Sequence, residues 1–277
     1  MRRALAATLL VAAAGAQAQG DATFVYDPYV PTPQAIVEQM LALAEVGADD
    51  LVVDLGSGDG RIVITAARRY GARGLGVEID RSLVAEAKSA ARELGVAERV
   101  RFVARDLHQV DLREATVLTL YLLPETNRKL LPKILAEMPA GARVVSHRFA
   151  VGDWHPAATV VVDAGEDWTA LGKERNIHLY RVPARVSGTW EVRCEDGAVF
   201  RLVLVQARES ITGAAVAADV ALALDRGAVN GREIRFRLAG PAPLAGDYAG
   251  TADGDRIAGR RRGASEVGWR AVRLAGD

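Results

Sequence analysis

Leu51-Val52-Val53-Asp54-Leu55-Gly56-Ser57-Gly58-Asp59-Gly60-Arg61 is the stretch that decides the fold. Leu51 to Leu55 is apolar except for its acid and reads as a buried strand, and Arg61 to Tyr70 reads as a helix. The glycines between them let the chain turn sharply and come close to a ligand, with no Cβ in the way. A glycine loop alone is a weak signal, because many nucleotide sites use one. Its spacing removes several readings. Arg61 stands where a dinucleotide fingerprint wants glycine or alanine, and no Gly-Lys-Ser/Thr follows for a triphosphate loop. Ser57 also lacks the Gly-x-Ser-x-Gly frame of a nucleophile elbow.

Working outward, strand-like runs alternate with helix-length segments. Pro33 to Val46 is a helix with Ile36, Met40, Leu41 and Ala44 at helical spacing, Thr32 as its N-cap and Pro33 in its first turn. Strands are expected at Leu75 to Ile79, Val100 to Ala104, Thr116 to Tyr121 and Ala142 to His147. Helices are expected at Ser82 to Leu94 and Glu125 to Met138. This alternation calls for an α/β architecture, a parallel sheet covered by helices on both faces. Thr159 to Val162 and Ile177 to Val182 suit an antiparallel pair at one edge. Ligands of such sheets bind beyond the carboxyl ends of the strands, at the switch in strand order. Three acids fall at such ends: Asp54, Glu78, which can accept from both ribose hydroxyls, and Asp106, which can accept from an adenine amino group.

The pattern changes after Pro183. Trp190 to Arg193, Val199 to Gln206, Ile211 to Ala217, Glu233 to Leu238 and Trp269 to Leu274 are short strands, separated by turn signals such as Asp196-Gly197, Asn230-Gly231 and Asp253-Gly254. A small antiparallel β domain over 184–277, a sandwich or open barrel, is expected, with Trp190 and Trp269 in its core. Arg260-Arg261-Arg262 reads as a solvated loop. At the other end, Met1-Arg2-Arg3, the apolar Ala4 to Gly15 and Ala16-Gln17-Ala18 form a signal peptide over 1–18 with export to the periplasm, an uncleaved membrane anchor being the alternative. That leaves 19–183 for the α/β domain. No apolar run reaches the roughly 18 residues of a spanning helix. With 277 residues, 35 Lys+Arg against 35 Asp+Glu and a single cysteine, Cys194, the chain has neither the basic surplus of a nucleic-acid binder nor an internal disulfide or Cys-rich zinc site. His147, Asp153 and His155 have a spacing that a metal could gather, but the loop constrains them poorly, and His147 facing a substrate cleft is the better reading.

Val52 to Gly60, followed by Gly76-Val77-Glu78-Ile79-Asp80, resembles the class I S-adenosylmethionine-dependent methyltransferases. The resemblance runs from about Tyr26 to Val182. More narrowly, Pro31-Thr32-Pro33, Asp54 through Val63, Tyr121-Leu122-Leu123-Pro124, Val144-Val145-Ser146-His147 and Gly152-Asp153-Trp154 look like a small group that includes the mitochondrial protein-lysine methyltransferases acting on ATP synthase subunit c and related bacterial proteins. The resemblance implies a seven-stranded Rossmann-like sheet and S-adenosyl-L-methionine as cofactor. By it, Asp54, Gly56, Ser57, Gly58 and Gly60 hold the methionine end, Glu78 the ribose, and Asp106 with Leu107 the adenine. Thr32 reaches toward the cofactor from the leading helix. Tyr121 either orients the acceptor amine through its hydroxyl or packs on the cofactor. The acceptor expected is a protein lysine or another amine. Leu122-Leu123-Pro124 lacks the Asn/Asp-Pro-Pro-Tyr pattern of base methylation. The exported N-terminus and the β domain, which would dock an unknown partner, leave a second reading: a binding protein that keeps the fold and methylates nothing.

Overall fold

The computed structural model describes residues 29–162, 176–217, 220–241, 243–263 and 265–275. The expected signal peptide lies outside these residues, as does the chain joining the two edge strands. In the first half, α1 (Gln34–Leu43) precedes β1 (Leu51–Leu55), α2 (Arg61–Tyr70), β2 (Arg73–Glu78), α3 (Arg81–Glu93), β3 (Val100–Ala104), β4 (Val117–Leu120), α4 (Pro124–Glu137), β5 (Arg143–His147), β6 (Ala158–Val161) and β7 (Asn176–Arg181). The strands form one sheet in the order β3-β2-β1-β4-β5-β7-β6. The first five in that order run parallel, and β7 pairs antiparallel with both β5 and β6, so the expected edge hairpin is present.

Burial explains the composition of these strands. A central parallel strand is covered on both faces, so it reads as a continuous apolar run rather than an alternation. Val52 to Leu55 and all of β4 are buried. One face packs on Ile36, Met40, Leu41, Val63 and Val84 from α1, α2 and α3, and the other on Leu130, Leu131, Ile134 and Trp154. The chain runs outward through β2 and β3, then crosses back to add β4 on the far side of β1. The crevice of a doubly wound sheet opens at that reversal, beyond the carboxyl ends of β1 and β4. The opposite end is pinned: Asp50 accepts from Thr116 Oγ1 and is ion-paired with Arg143, which also donates to the Ala44 carbonyl.

Thr32 is not the N-cap expected of it. Pro33 takes that position and makes no side-chain cap, while Thr32 is buried and its carbonyl accepts from Arg61 Nη1 at 3.0 Å. The reason is tertiary, since the guanidinium draws the entry to α1 onto the glycine loop.

The antiparallel domain is a closed barrel of eight strands: β8 (Gly188–Cys194), β9 (Val199–Ala207), β10 (Ser210–Ala217), β11 (Val220–Asn230), β12 (Glu233–Leu238), β13 (Gly246–Asp253), β14 (Arg256–Arg262) and β15 (Glu266–Arg273). Neighbours in sequence are neighbours in the sheet, and β15 pairs with β8 to close it. Alternate side chains fill the interior, where Phe236 stacks on Tyr248 at 4.8 Å and Trp190 and Trp269 are fully buried. Closure rests on β11, β13 and β14, which carry too few β-branched and aromatic residues to stand out in the sequence. The three arginines are therefore strand rather than loop. Arg261 points inward, its side chain only 6% exposed, and pairs with Asp196 at 2.5 Å.

Candidate active site

Two carboxylates and the loop between them shape the crevice at the carboxyl end of β1. Asp54 is 2% exposed and accepts from Thr119 Oγ1 on the adjacent β4 at 2.7 Å. Among the described residues no cation pairs with it. Burial pushes its pKa up to about 7, a shift that the Thr119 hydrogen bond opposes and the charges of Glu78 and Asp59 reinforce. Glu78, ending β2, accepts from the backbone N–H of Gly58 at 3.0 Å and, through its other oxygen, from Ile79 and Asp80. Backbone bonds from Gly56 and Ser57 to the Val77 carbonyl fold the loop over the end of β2. One side of the crevice thus carries two acids on neighbouring strands with a bare backbone turn between them.

The turn tolerates only glycine at its tightest points. Gly58 and Gly60 have φ of +51° and +79°; a Cβ at Gly58 would strike the Tyr29 ring, and one at Gly60 would lie 2.6 Å from Phe102 Cζ. Asp59 is gripped by Arg61 through a fork of 2.9 and 3.0 Å from Nε, and Arg61 also reaches Thr32. Arg61, the residue that excludes a dinucleotide fingerprint, is therefore the tie between the loop and the segment before α1. Ser57 Oγ is buried with no hydrogen-bond partner among the described residues.

Asp106 caps the single 3₁₀ turn Leu107–Gln109, accepting from the His108 N–H at 2.8 Å, and Leu107 packs against the core. Both stand after β3, beyond Glu78, whose carbonyl accepts from Arg105 N–H. On the far side of the switch, Tyr121 follows β4 and its ring lies 4.1 Å from that of His147, the buried last residue of β5. Leu122 approaches Gly56 closely enough that a Cβ there would be 2.9 Å from its Cδ2. The structure thus ties Glu78 to the glycine loop by hydrogen bonds and sets Asp54, held by Thr119, on the adjacent strand. Asp106 and Leu107 line up on one flank of this group and Tyr121 on the other. The described residues hold no cluster of three or more His, Cys, Asp or Glu placed for a metal, and Asp153 is instead paired with Arg208.

Two contributors are easily missed in the sequence. Thr119 carries a weak signal, a lone hydroxyl in an otherwise apolar buried strand. Tyr29 carries none, because nothing local to it announces contact with Gly58.

A glycine-cornered loop at the switch of a sheet ordered 3-2-1-4-5-7-6, with acids ending the first two strands, defines a class I S-adenosylmethionine-dependent methyltransferase. Residues 54–158 match the model of the ANTKMT methyltransferase domain family. A protein-lysine N-methyltransferase from Saccharolobus islandicus is 44% identical over 139 residues, which are 50% of this chain and 86% of that protein. An adenine nucleotide translocase lysine N-methyltransferase from Mus musculus is 39% identical over 51% of this chain and 61% of its own length. A solved structure described as an RNA methyltransferase from Salinibacter ruber, in complex with S-adenosyl-L-homocysteine, superposes with a TM-score of 0.52 at 46% identity, covering 57% of this chain and 96% of that one. The chain belongs to this family of S-adenosylmethionine-dependent methyltransferases, with a β-barrel added after the sheet.

Proposed function

We propose that the protein transfers the methyl group of S-adenosylmethionine to an amine, the ε-amine of a protein lysine being the acceptor that best fits. The observation that carries this reading is Asp54, a buried carboxylate that no cation among the described residues pairs, beside a glycine turn and a second acid. A cationic amino-acid end is what such a carboxylate lacks. The substrate named for the 44%-identical archaeal relative supports lysine. The residues fit the cofactor: Asp54 would take the ammonium of its methionine part, the Gly56–Gly60 backbone and Ser57 Oγ its polar edge, Glu78 its ribose, and Asp106 with Leu107 its adenine. Thr32 stands behind the loop through Arg61. When bound, the cofactor supplies a methyl group already activated on a sulfonium.

What remains for the chain is positioning and proton control. Tyr121 and His147 form the corner opposite the glycine loop, where an amine lone pair would have to be aimed. An amine entering past Leu122 and Leu123 loses solvation, which lowers its pKa and favours the neutral, nucleophilic form. Incubation with radiolabelled S-adenosylmethionine and either poly-L-lysine or total RNA tests the reading. Label is expected in poly-L-lysine and absent from RNA, and lost with Asp54→Asn. Transfer to RNA alone, or to neither acceptor by protein that binds the cofactor, would sink the lysine assignment.

A further inference from the structure

The loop after β5 follows His147, whose ring lies 4.1 Å from that of Tyr121, and much of it is tied inward. Ser146 Oγ donates to the Phe149 carbonyl at 2.6 Å, and Asn127 Nδ2 of α4 donates to the carbonyls of Phe149 and Ala150 at 3.4 and 3.3 Å. The Val151 N–H donates to Tyr180 Oη at 3.1 Å, and the Trp154 ring lies 4.8 Å from the same ring, tilted by 31°. Asp153 of this loop faces outward and is 77% exposed. There the barrel meets it. Arg208 Nη1 and Nη2 donate to Asp153 Oδ1 and Oδ2 at 2.6 and 2.7 Å, a two-pronged match of planar groups.

The barrel presents that guanidinium from a braced support. Arg208 sits in the β9–β10 turn with φ +55°, an uncommon conformation for a residue with a Cβ. Gln206 Nε2 donates to the Arg208 carbonyl at 2.7 Å and to the Ala184 carbonyl at 2.9 Å, while its Oε1 accepts from the Val186 N–H. The Glu209 carbonyl accepts from Val229 N–H of β11. The turn is therefore fastened both to the segment that leaves the sheet and to β11 of the barrel, and from it Arg208 reaches Asp153.

We propose that Arg208 is a positioning residue for the methyl-acceptor site: through it the barrel sets the loop beside Tyr121 and His147, and so tunes acceptor binding. This rests on the methyltransferase reading above. A pair this exposed adds little to global stability, so its effect belongs to the loop. Hydrogen exchange by mass spectrometry over 148–156, with steady-state transfer to poly-L-lysine and calorimetric binding of S-adenosyl-L-homocysteine, tests it. Arg208→Ala is expected to speed exchange in that peptide about threefold to fivefold and to raise KM for poly-L-lysine by a similar factor. The turnover number and affinity for S-adenosyl-L-homocysteine should stay within about twofold. The double exchange Arg208→Asp with Asp153→Arg should recover both quantities. Unchanged loop exchange in Arg208→Ala, or a double variant no better than the single one, overturns the proposal. Failure of the unmodified protein to methylate poly-L-lysine overturns the lysine assignment instead, and the exchange measurement still decides on Arg208.

Discussion

Asp50 and Asp54 flank the same short strand, one just before it and one within it, and meet opposite fates. Burial acts to raise the Asp50 pKa, but Thr116, the Gly47 N–H and Arg143 outweigh it and hold the carboxyl below its ordinary range. Asp54 has only a threonine hydroxyl and two acids nearby, and rises to about 7. The native protein therefore keeps a proton on Asp54 that the unfolded chain releases near its ordinary value of 3.8. Ligand-free protein should lose roughly 4 kcal/mol of stability between about pH 4 and pH 7 from this residue, and nothing further above it. Urea melts across that range are expected to show the slope, and Asp54→Asn should remove it. Binding of the cofactor's ammonium needs the ionised form, so affinity should climb up to tenfold per pH unit from 5 to 7 and then level off. A flat calorimetric profile would mean that Asp54 does not face the ligand. The placing of Asp54 and Glu78 near the carboxyl ends of two neighbouring strands was legible in the sequence, because each is the acid that closes an apolar run. Thr32 was placed less well: its neighbours spell an N-cap, and its actual surroundings are set by Arg61, 29 positions along the chain.

Elements in the sheet half were legible to within about three residues, because a two-sided core leaves apolar runs bounded by polar turns. The barrel was harder to read. Its strands face solvent on one side, and β14, Arg256-Ile257-Ala258-Gly259-Arg260-Arg261-Arg262, hides one buried cation among exposed ones. Arg261 is held by Asp196, the Pro243 carbonyl and a long contact to Cys194 Sγ at 4.0 Å. Breaking a buried pair costs more than replacing it, because the surviving charge is left without a partner. Asp196→Ala should therefore destabilise the barrel by about 2 kcal/mol, allowing for the partial exposure of Asp196. Arg261→Met, of similar length and without charge, should cost less in the same urea titration. A larger loss from Arg261→Met would mean that the hydrogen bonds of the guanidinium to the Pro243 carbonyl and Asp196 outweigh the cost of burying it unpaired.

At the scale of the whole molecule, one core lies on each face of the sheet and a third fills the barrel, with no buried residue shared between them. Heating should therefore give two calorimetric transitions. S-adenosyl-L-homocysteine at a hundred times its Kd stabilises whatever binds it by about 2.7 kcal/mol. It should raise the transition of the sheet by roughly 5–10 °C and leave that of the barrel in place. A single transition that moves as one would show that the Arg208–Asp153 contact and its neighbours weld the halves into one cooperative unit. The change from sheet-and-helix to all-strand pattern was visible because helical periodicity stops, whereas the way the halves touch depends on surface groups such as Asp153 that carry no signature.

The barrel is a meander whose seam is sewn by its final strand. Because β15 alone joins β14 to β8, a chain cut before Glu266 would not lose a decoration. It would unzip the cylinder into a curled ribbon, bare two lengths of unsatisfied backbone and let water reach Trp190 and Phe236. Stop codons or proteases that remove β15 should thus produce clumping material rather than a trimmed protein.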